Sequence, residues 1–161
     1  MEAVKEMKQM LYEELELITR TTANLLEKIA PEDWDFRPQE NMRSLKELAC
    51  HLVAIPAVDL LILQEKSQEE VHELEAQIEA GENRHAWIQS MQSGVEELKQ
   101  YMDNLSDEDF LQRKTKPFYL DHGTVQAKWL IEIVTHAQHH RAQLFTYMKT
   151  KGYDVNMFDL Y

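Results

Sequence analysis

Seven histidines stand out in this chain of 161 residues, and three of them have positions that suit metal ligands. His136 and His140 are four residues apart, so on a helix their side chains share one face and can hold one ion together. The helical stripe that contains them is otherwise mostly apolar, which predicts that both face the interior. Its other members are Trp129, Ile133, Leu144 and Tyr147. His139 falls on a polar stripe of the same segment and is predicted to lie outside.

The third histidine, His51, lies between Leu48 and Ile55 on the apolar stripe of an earlier segment. A single histidine in that position is usually a core residue that is hydrogen-bonded to a backbone or carboxylate group. Three inward imidazoles in one small domain favour a shared divalent ion, because buried neutral imidazoles need polar partners. The spacing alone leaves open a plain helical bundle with three unrelated buried histidines. The remaining histidines are predicted to be surface residues: His72, His85 and His122.

Three other polar residues adjoin these histidines. Glu47 is one turn before His51 and Glu132 is one turn before His136, so each carboxylate could accept the spare ring N–H of a ligand. Each also has an ordinary explanation, since Glu47 completes a capping box and Glu132 leans to the polar stripe. Cys50 adjoins His51, but adjacent helical residues point about 100° apart, which favours a buried free thiol over a Cys–His nucleophile.

Glycine and proline divide the chain into four long segments that have helical rather than strand-like periodicity. The first spans about residues 2–29, the second starts at Ser44, and the last two span about residues 84–104 and 124–150. Pro56 lies inside the second segment and is expected to kink it or shift its hydrogen bonding. Between the second and third segments, residues 65–82 hold seven glutamates and one lysine yet keep apolar residues at helical spacing. This pattern predicts a short exposed helix followed by a turn.

These elements predict an all-α fold: one four-helix bundle over residues 1–161, with a short extra helix in the connection between helices 2 and 3. The formal net charge of −12 disfavours binding to nucleic acid and to anionic membrane surfaces. A single cysteine excludes an internal disulfide and a multi-thiolate metal site. The N-terminal residues have no secretory pattern and no segment has the length of a membrane span, so we expect a cytoplasmic protein.

The chain resembles the DinB superfamily, which includes YfiT-like metal-dependent enzymes. Two motifs carry the resemblance: the stretch 34–52, which ends in Glu47-Leu48-Ala49-Cys50-His51-Leu52, and the stretch His136-Ala137-Gln138-His139-His140-Arg141-Ala142-Gln143. The ending Lys151-Gly152-Tyr153-Asp154-Val155 is also similar to the family. Ala142 and Asn156 depart from the usual glycine and proline, but neither position bears a ligand. The resemblance covers nearly the whole chain and implies that His51, His136 and His140 form a metal-binding triad.

The resemblance implies an enzyme that uses a divalent metal, and imidazole donors suit Zn²⁺ or Ni²⁺. By family analogy, the reaction with most support is transfer of a low-molecular-weight thiol to a small electrophile, and a homodimer is a further implication. Glu132, Gln143 and Tyr147 are candidate residues for lining the site. An anionic thiol would need a basic contact, for which Arg141 is a neighbour in sequence.

Two alternatives remain at this point. One is a non-catalytic, metal-binding stress-response module in which the ion serves folding or sensing. The other is a metal-dependent hydrolase or isomerase of a small molecule, because fold does not determine the reaction.

Overall fold

The structure is a computed structural model that describes residues 2–81 and 83–161. Within these residues the chain forms six α-helices and one short strand pair. The helices are α1 (Glu2–Lys28), α2 (Leu45–Leu63), α3 (Gln68–Glu79), α4 (Arg84–Asp103), α5 (Asp107–Gln112) and α6 (Gln126–Lys151). The strands are β1 (Lys114–Thr115) and β2 (Thr124–Val125), and short 3₁₀ turns cover Pro31–Asp33 and Met157–Asp159.

The four long helices form the predicted four-helix bundle. Helix α2 packs against α4 and α6, and α1 packs against the same two helices from the other side. The apolar stripes meet in one core, in which Leu15, Leu48, Leu98 and Leu144 are almost completely buried. The short helix α3 confirms the prediction for the acidic connection. Its apolar residues Val71 and Ile78 are buried where the helix packs against α2 and α4.

Helix α2 begins where the capping box was predicted. The Ser44 side chain accepts the Glu47 N–H at 3.1 Å, and the Glu47 carboxylate accepts the Ser44 N–H at 2.8 Å. These bonds satisfy donors that the first turn of a helix otherwise leaves free. They also fix the residue at which α2, the helix that carries His51, begins.

A close contact joins α2 to α4 near Pro56. Helix α2 continues from Leu45 to Leu63 across this proline. Opposite it lies Gly94 of α4, where a Cβ atom would be 2.9 Å from the backbone nitrogen of Ala57 and 3.3 Å from the Cβ of Pro56. Glycine therefore allows the two helix backbones to approach at this point.

The strand pair is a feature that sequence periodicity did not predict. Strands β1 and β2 are antiparallel, with Thr115 opposite Thr124, and helix α6 starts directly after them at Gln126. The Gln126 side chain donates to the Thr115 hydroxyl at 2.8 Å, and the Trp129 indole N–H donates to the Thr115 carbonyl at 3.3 Å. Strands of two residues are too short to show alternation, so only these tertiary contacts reveal them.

The far end of α6 follows the predicted pattern. The helix ends at Lys151 and is followed by Gly152, whose φ of 103° is in the left-handed region that glycine adopts without strain. Among the helices of the described ranges, none combines the length and the apolar character that crossing a lipid bilayer requires.

Candidate metal centre

Three histidine rings from two neighbouring helices converge at one place in the bundle. His51 comes from α2, and His136 and His140 come from successive turns of α6. The ring centroids of His51 and His140 are 4.4 Å apart, and those of His136 and His140 are 4.9 Å apart. One nitrogen from each ring lies within 4.8 Å of the other two. The structure therefore brings together the three histidines that the sequence predicted.

The cluster lies at the rim of the bundle rather than in its centre. His140 is 7% exposed and His51 is half-buried. The side chain of His136 is 39% exposed, so the prediction that it faces the interior is only half right. His139 is exposed as predicted, although its ring centroid is 4.9 Å from that of His140. The other histidines, His72, His85 and His122, are exposed as expected.

Gln143 determines which nitrogen of His140 is free. Its Oε1 atom is 2.7 Å from Nδ1 of His140, one turn earlier on α6. An amide oxygen only accepts hydrogen bonds, so Nδ1 carries the proton and Nε2 keeps its lone pair. That Nε2 atom is 3.1 Å from Nε2 of His51. The separation is close to the roughly 3.3 Å between two ligands bound at ~2 Å to one tetrahedral ion.

Asp59 is the polar partner that the sequence reasoning missed. Its Oδ2 atom lies 3.6 Å from Nδ1 of His136, and the residue is 8% exposed. A carboxylate at this place orients the ring and increases its basicity toward an ion on the other nitrogen. The sequence did carry a signal, because Asp59 is the only charged residue between positions 52 and 63 of an apolar helix.

The two glutamates considered for this role have other partners. Glu132 forms an ion pair with Lys128 at 3.3 Å. Glu47 forms the capping box and an ion pair with Arg37 at 2.9 Å. The role of orienting a ring therefore falls to Asp59 and Gln143.

Two further residues of α6 that were singled out in the sequence have different surroundings. Tyr147 is 6% exposed and, together with Gln143 and His139, lines a cavity of about 290 Å³ beside the cluster. Arg141 is buried and points away, since its guanidinium donates to the Thr21 hydroxyl at 2.8 Å and to the Leu160 carbonyl at 3.0 Å. Arg141 therefore ties α6 to α1 and to the C-terminal segment, and does not contact the histidines.

A second cavity, of about 240 Å³, adjoins the cluster at His51. It is lined by Arg43, Glu47, Cys50, His51, Ala54, Glu75 and Glu79. Cys50 is only 6% exposed, and burial raises its pKa to about 11, which agrees with the predicted unreactive thiol. The histidine cluster thus has open space beside His51.

The surroundings of two rings of the cluster, His51 and His140, favour the neutral form. Burial lowers the pKa of His51 to about 4, with a smaller contribution from the Arg43 charge. Burial also lowers the pKa of His140 to about 4, and the hydrogen bond that His140 donates to Gln143 opposes this shift. Burial raises the pKa of the Asp59 carboxyl, which the neighbouring His136 partly offsets. Neutral imidazoles with free lone pairs are the form that binds metal, so this donor set fits a divalent transition metal ion.

The fold and the cluster together define a class: four-helix bundles with three histidines from two helices at one rim. The sequence model of the DinB family matches residues 4–161. The chain belongs to the DinB family, as the resemblance indicated. No match was found among curated proteins.

Solved structures support the same assignment. A DinB-family protein from Exiguobacterium sibiricum is 27% identical, with a TM-score of 0.76 over 96% of this chain and 97% of that one. YfiT from Bacillus subtilis is 16% identical, with a TM-score of 0.75 over 93% of this chain and 90% of that one. That protein is described as a probable metal-dependent hydrolase with an unusual four-helix bundle topology. A DinB-like protein of Bacillus subtilis, YjoA, is 18% identical, with a TM-score of 0.64 over 91% and 94% of the two chains.

Proposed function

We propose that this protein is a divalent-metal-dependent enzyme that acts on a small molecule, with His51, His136 and His140 as the metal ligands. The observation that carries the proposal is the convergence of three imidazoles at an open rim of the bundle. Among the residues that the structure describes, the cluster contains no fourth histidine, cysteine or carboxylate ligand. Structural zinc sites use four protein ligands, whereas catalytic sites use three and leave a position for water or substrate.

The residues around the triad prepare it for this role. Gln143 holds the Nδ1 proton of His140, which leaves Nε2 as the donor. Asp59 faces Nδ1 of His136 and favours the same arrangement there. A bound Zn²⁺ or Ni²⁺ would act as a Lewis acid and lower the pKa of a water or thiol in the open position.

The finer proposal for the reaction is transfer of a low-molecular-weight thiol to a small electrophile. Its support is the family resemblance, and the cavity beside His51 provides space for a small substrate. Hydrolysis is the second candidate, and the description of YfiT as a probable metal-dependent hydrolase favours it. Both reactions use the same activated position, so a direct assay must separate them.

The metal site is tested by elemental analysis of protein purified without chelators or a histidine tag. We expect about one divalent ion per chain. His136→Ala should lose most of the bound metal, while His139→Ala, on the same helix and with its side chain exposed, is the matched control and should retain it. Equal losses in the two variants, or a wild-type protein that does not bind added Zn²⁺ or Ni²⁺, would contradict the proposal.

The reaction is tested by offering a haloaromatic electrophile with several small thiols, and in parallel a panel of small esters and amides. Metal-dependent conjugation that is lost in His136→Ala would support thiol transfer. Metal-dependent cleavage without a thiol would support hydrolysis instead. Stoichiometric metal with neither reaction would favour the non-catalytic metal-binding module.

A further inference from the structure

Two arginines precede helix α2, and the structure uses them differently. The Arg37 guanidinium donates to the Met42 carbonyl and to Glu47, at 3.1 Å for the second bond. It also forms an ion pair with Glu47 at 2.9 Å. Arg37 is therefore occupied in holding the loop against the first turn of α2.

Arg43 is six residues later, and its side chain has no such structural task. It is exposed and lines the 240 Å³ cavity together with His51. It has no hydrogen bond or ion pair within 4.0 Å to any residue in the ranges 2–81 and 83–161. Its backbone is nevertheless held in place, because the next residue, Ser44, is the N-cap of α2.

The charge of Arg43 reaches the histidine cluster. Arg43 and His51 line the same cavity, so the guanidinium lies on the side of the cluster that this cavity opens to. A guanidinium at this place repels any cation that the imidazoles bind. The arrangement becomes favourable when an anionic group lies between the two positive charges.

We propose that Arg43 is the anion-binding residue of this site, and that the substrate carries one carboxylate that Arg43 holds beside His51. The inference rests on the proposed function, because it assumes a cation at the triad. A planar guanidinium matches a carboxylate through two parallel hydrogen bonds. Glu75 and Glu79 of α3 also line the cavity, so multiply charged anions are disfavoured and a single carboxylate is the expected class.

The test uses the full chain loaded with Co²⁺, whose visible absorption reports the ligands of the ion. Acetate is titrated at constant ionic strength, with acetamide as the uncharged probe of the same shape. We expect acetate to change the spectrum at much lower concentration than acetamide. Arg43→Gln should weaken acetate binding about tenfold, the effect of losing a charge-assisted pair at a partly exposed site. The acetate affinity of Arg43→Lys should lie between those of the wild-type protein and Arg43→Gln.

The effect of Arg43→Gln on Co²⁺ affinity should be opposite to its effect on acetate affinity. Without acetate, Arg43→Gln should bind Co²⁺ as tightly as wild type or more tightly, because a repulsive charge has been removed. Arg20→Gln is the matched control, since it removes the same charge from an exposed position of α1. It should leave both affinities unchanged.

The outcomes separate the two proposals. A wild-type protein that does not bind Co²⁺ overturns the metal site and the role of Arg43 together. Co²⁺ binding with equal acetate affinity in wild type and Arg43→Gln overturns only the role of Arg43. If acetamide binds as tightly as acetate, the proposed role of Arg43 is also overturned. Circular dichroism of each variant shows that it is folded, which we expect because the Arg43 side chain is exposed.

Discussion

Replacing Asp59 by asparagine tests how the structure prepares His136 for metal binding. The change keeps the size of the side chain and removes its charge. Loss of a carboxylate that orients a ligand histidine commonly costs 10–100-fold in metal affinity, or about 1.4–2.8 kcal/mol. The Oδ2–Nδ1 distance of 3.6 Å exceeds that of a good hydrogen bond, so the Asp59 carboxylate would favour a bound cation mainly through its charge. We therefore expect an effect near the lower end, about tenfold.

The effect of Asp59→Asn on stability should have the opposite sign. Burial raises the pKa of Asp59, so the folded state holds the proton more tightly than the unfolded state. Such a group contributes stability below its unfolded pKa, near 3.9, and loses it as pH rises through its folded pKa. At pH 7 the metal-free Asp59→Asn protein should be as stable as wild type or more stable.

The assay is a competition titration of Zn²⁺ against a chromogenic chelator, together with thermal unfolding in the presence of chelator. Glu132→Gln is the control, because it removes a carboxylate that pairs with Lys128 on the surface. It should change metal affinity by less than about twofold. Unchanged affinity in Asp59→Asn, or equal losses in the two variants, would refute the reasoning. A large fall in the Tm of metal-free Asp59→Asn would assign Asp59 a structural role instead.

Other predictions concern the helix contact, the pH dependence and the thiol. Gly94→Ala should destabilise the fold by about 1–3 kcal/mol in urea unfolding, because the added Cβ would be 2.9 Å from the Ala57 backbone nitrogen. A variant as stable as the wild-type protein would contradict this close contact. The free energy of unfolding of the metal-free protein should fall by about 1–3 kcal/mol between pH 7 and pH 5. The reason is that histidines of the unfolded state take up protons near pH 6.5, whereas folded His51 and His140 have a pKa of about 4. His51→Asn should reduce that loss in urea titrations at each pH, and stability that rises toward pH 5 would refute the assignment. Cys50 should react with a thiol reagent at pH 8 far more slowly in the native state than in urea, and equal rates would contradict its burial.

Much of the fold could be predicted because helical periodicity is a local property. Apolar residues at a spacing of three and four define a face without knowledge of its partner, so the four long helices and α3 were predicted. The capping box at Ser44 located the start of α2 for the same reason. The pair β1–β2 was missed, since two residues carry no periodicity and the pairing depends on contacts with Gln126 and Trp129.

The candidate site likewise has features that follow from local sequence and features that depend on tertiary packing. The sequence by itself determined that His136 and His140 share a face, because four residues make about one helical turn, and that His51 lies on an apolar stripe. Only the tertiary structure decided that α2 lies beside α6, and this contact places His51 Nε2 3.1 Å from His140 Nε2. The same contact brings Asp59 to His136.

The position of each arginine also required the tertiary structure. Arg141 adjoins a candidate ligand in sequence, but consecutive helical residues point about 100° apart, and its side chain is buried against α1. Arg43 precedes α2, and it shares a cavity with His51 that the packing of α3 against α2 creates. Local spacing determines which residues share a helix face, whereas the packing of helices against each other determines which faces and loops meet. That difference is the reason that the sequence predicted the three histidines and the candidate lining residues Gln143 and Tyr147, but not the positions of Asp59 and Arg43.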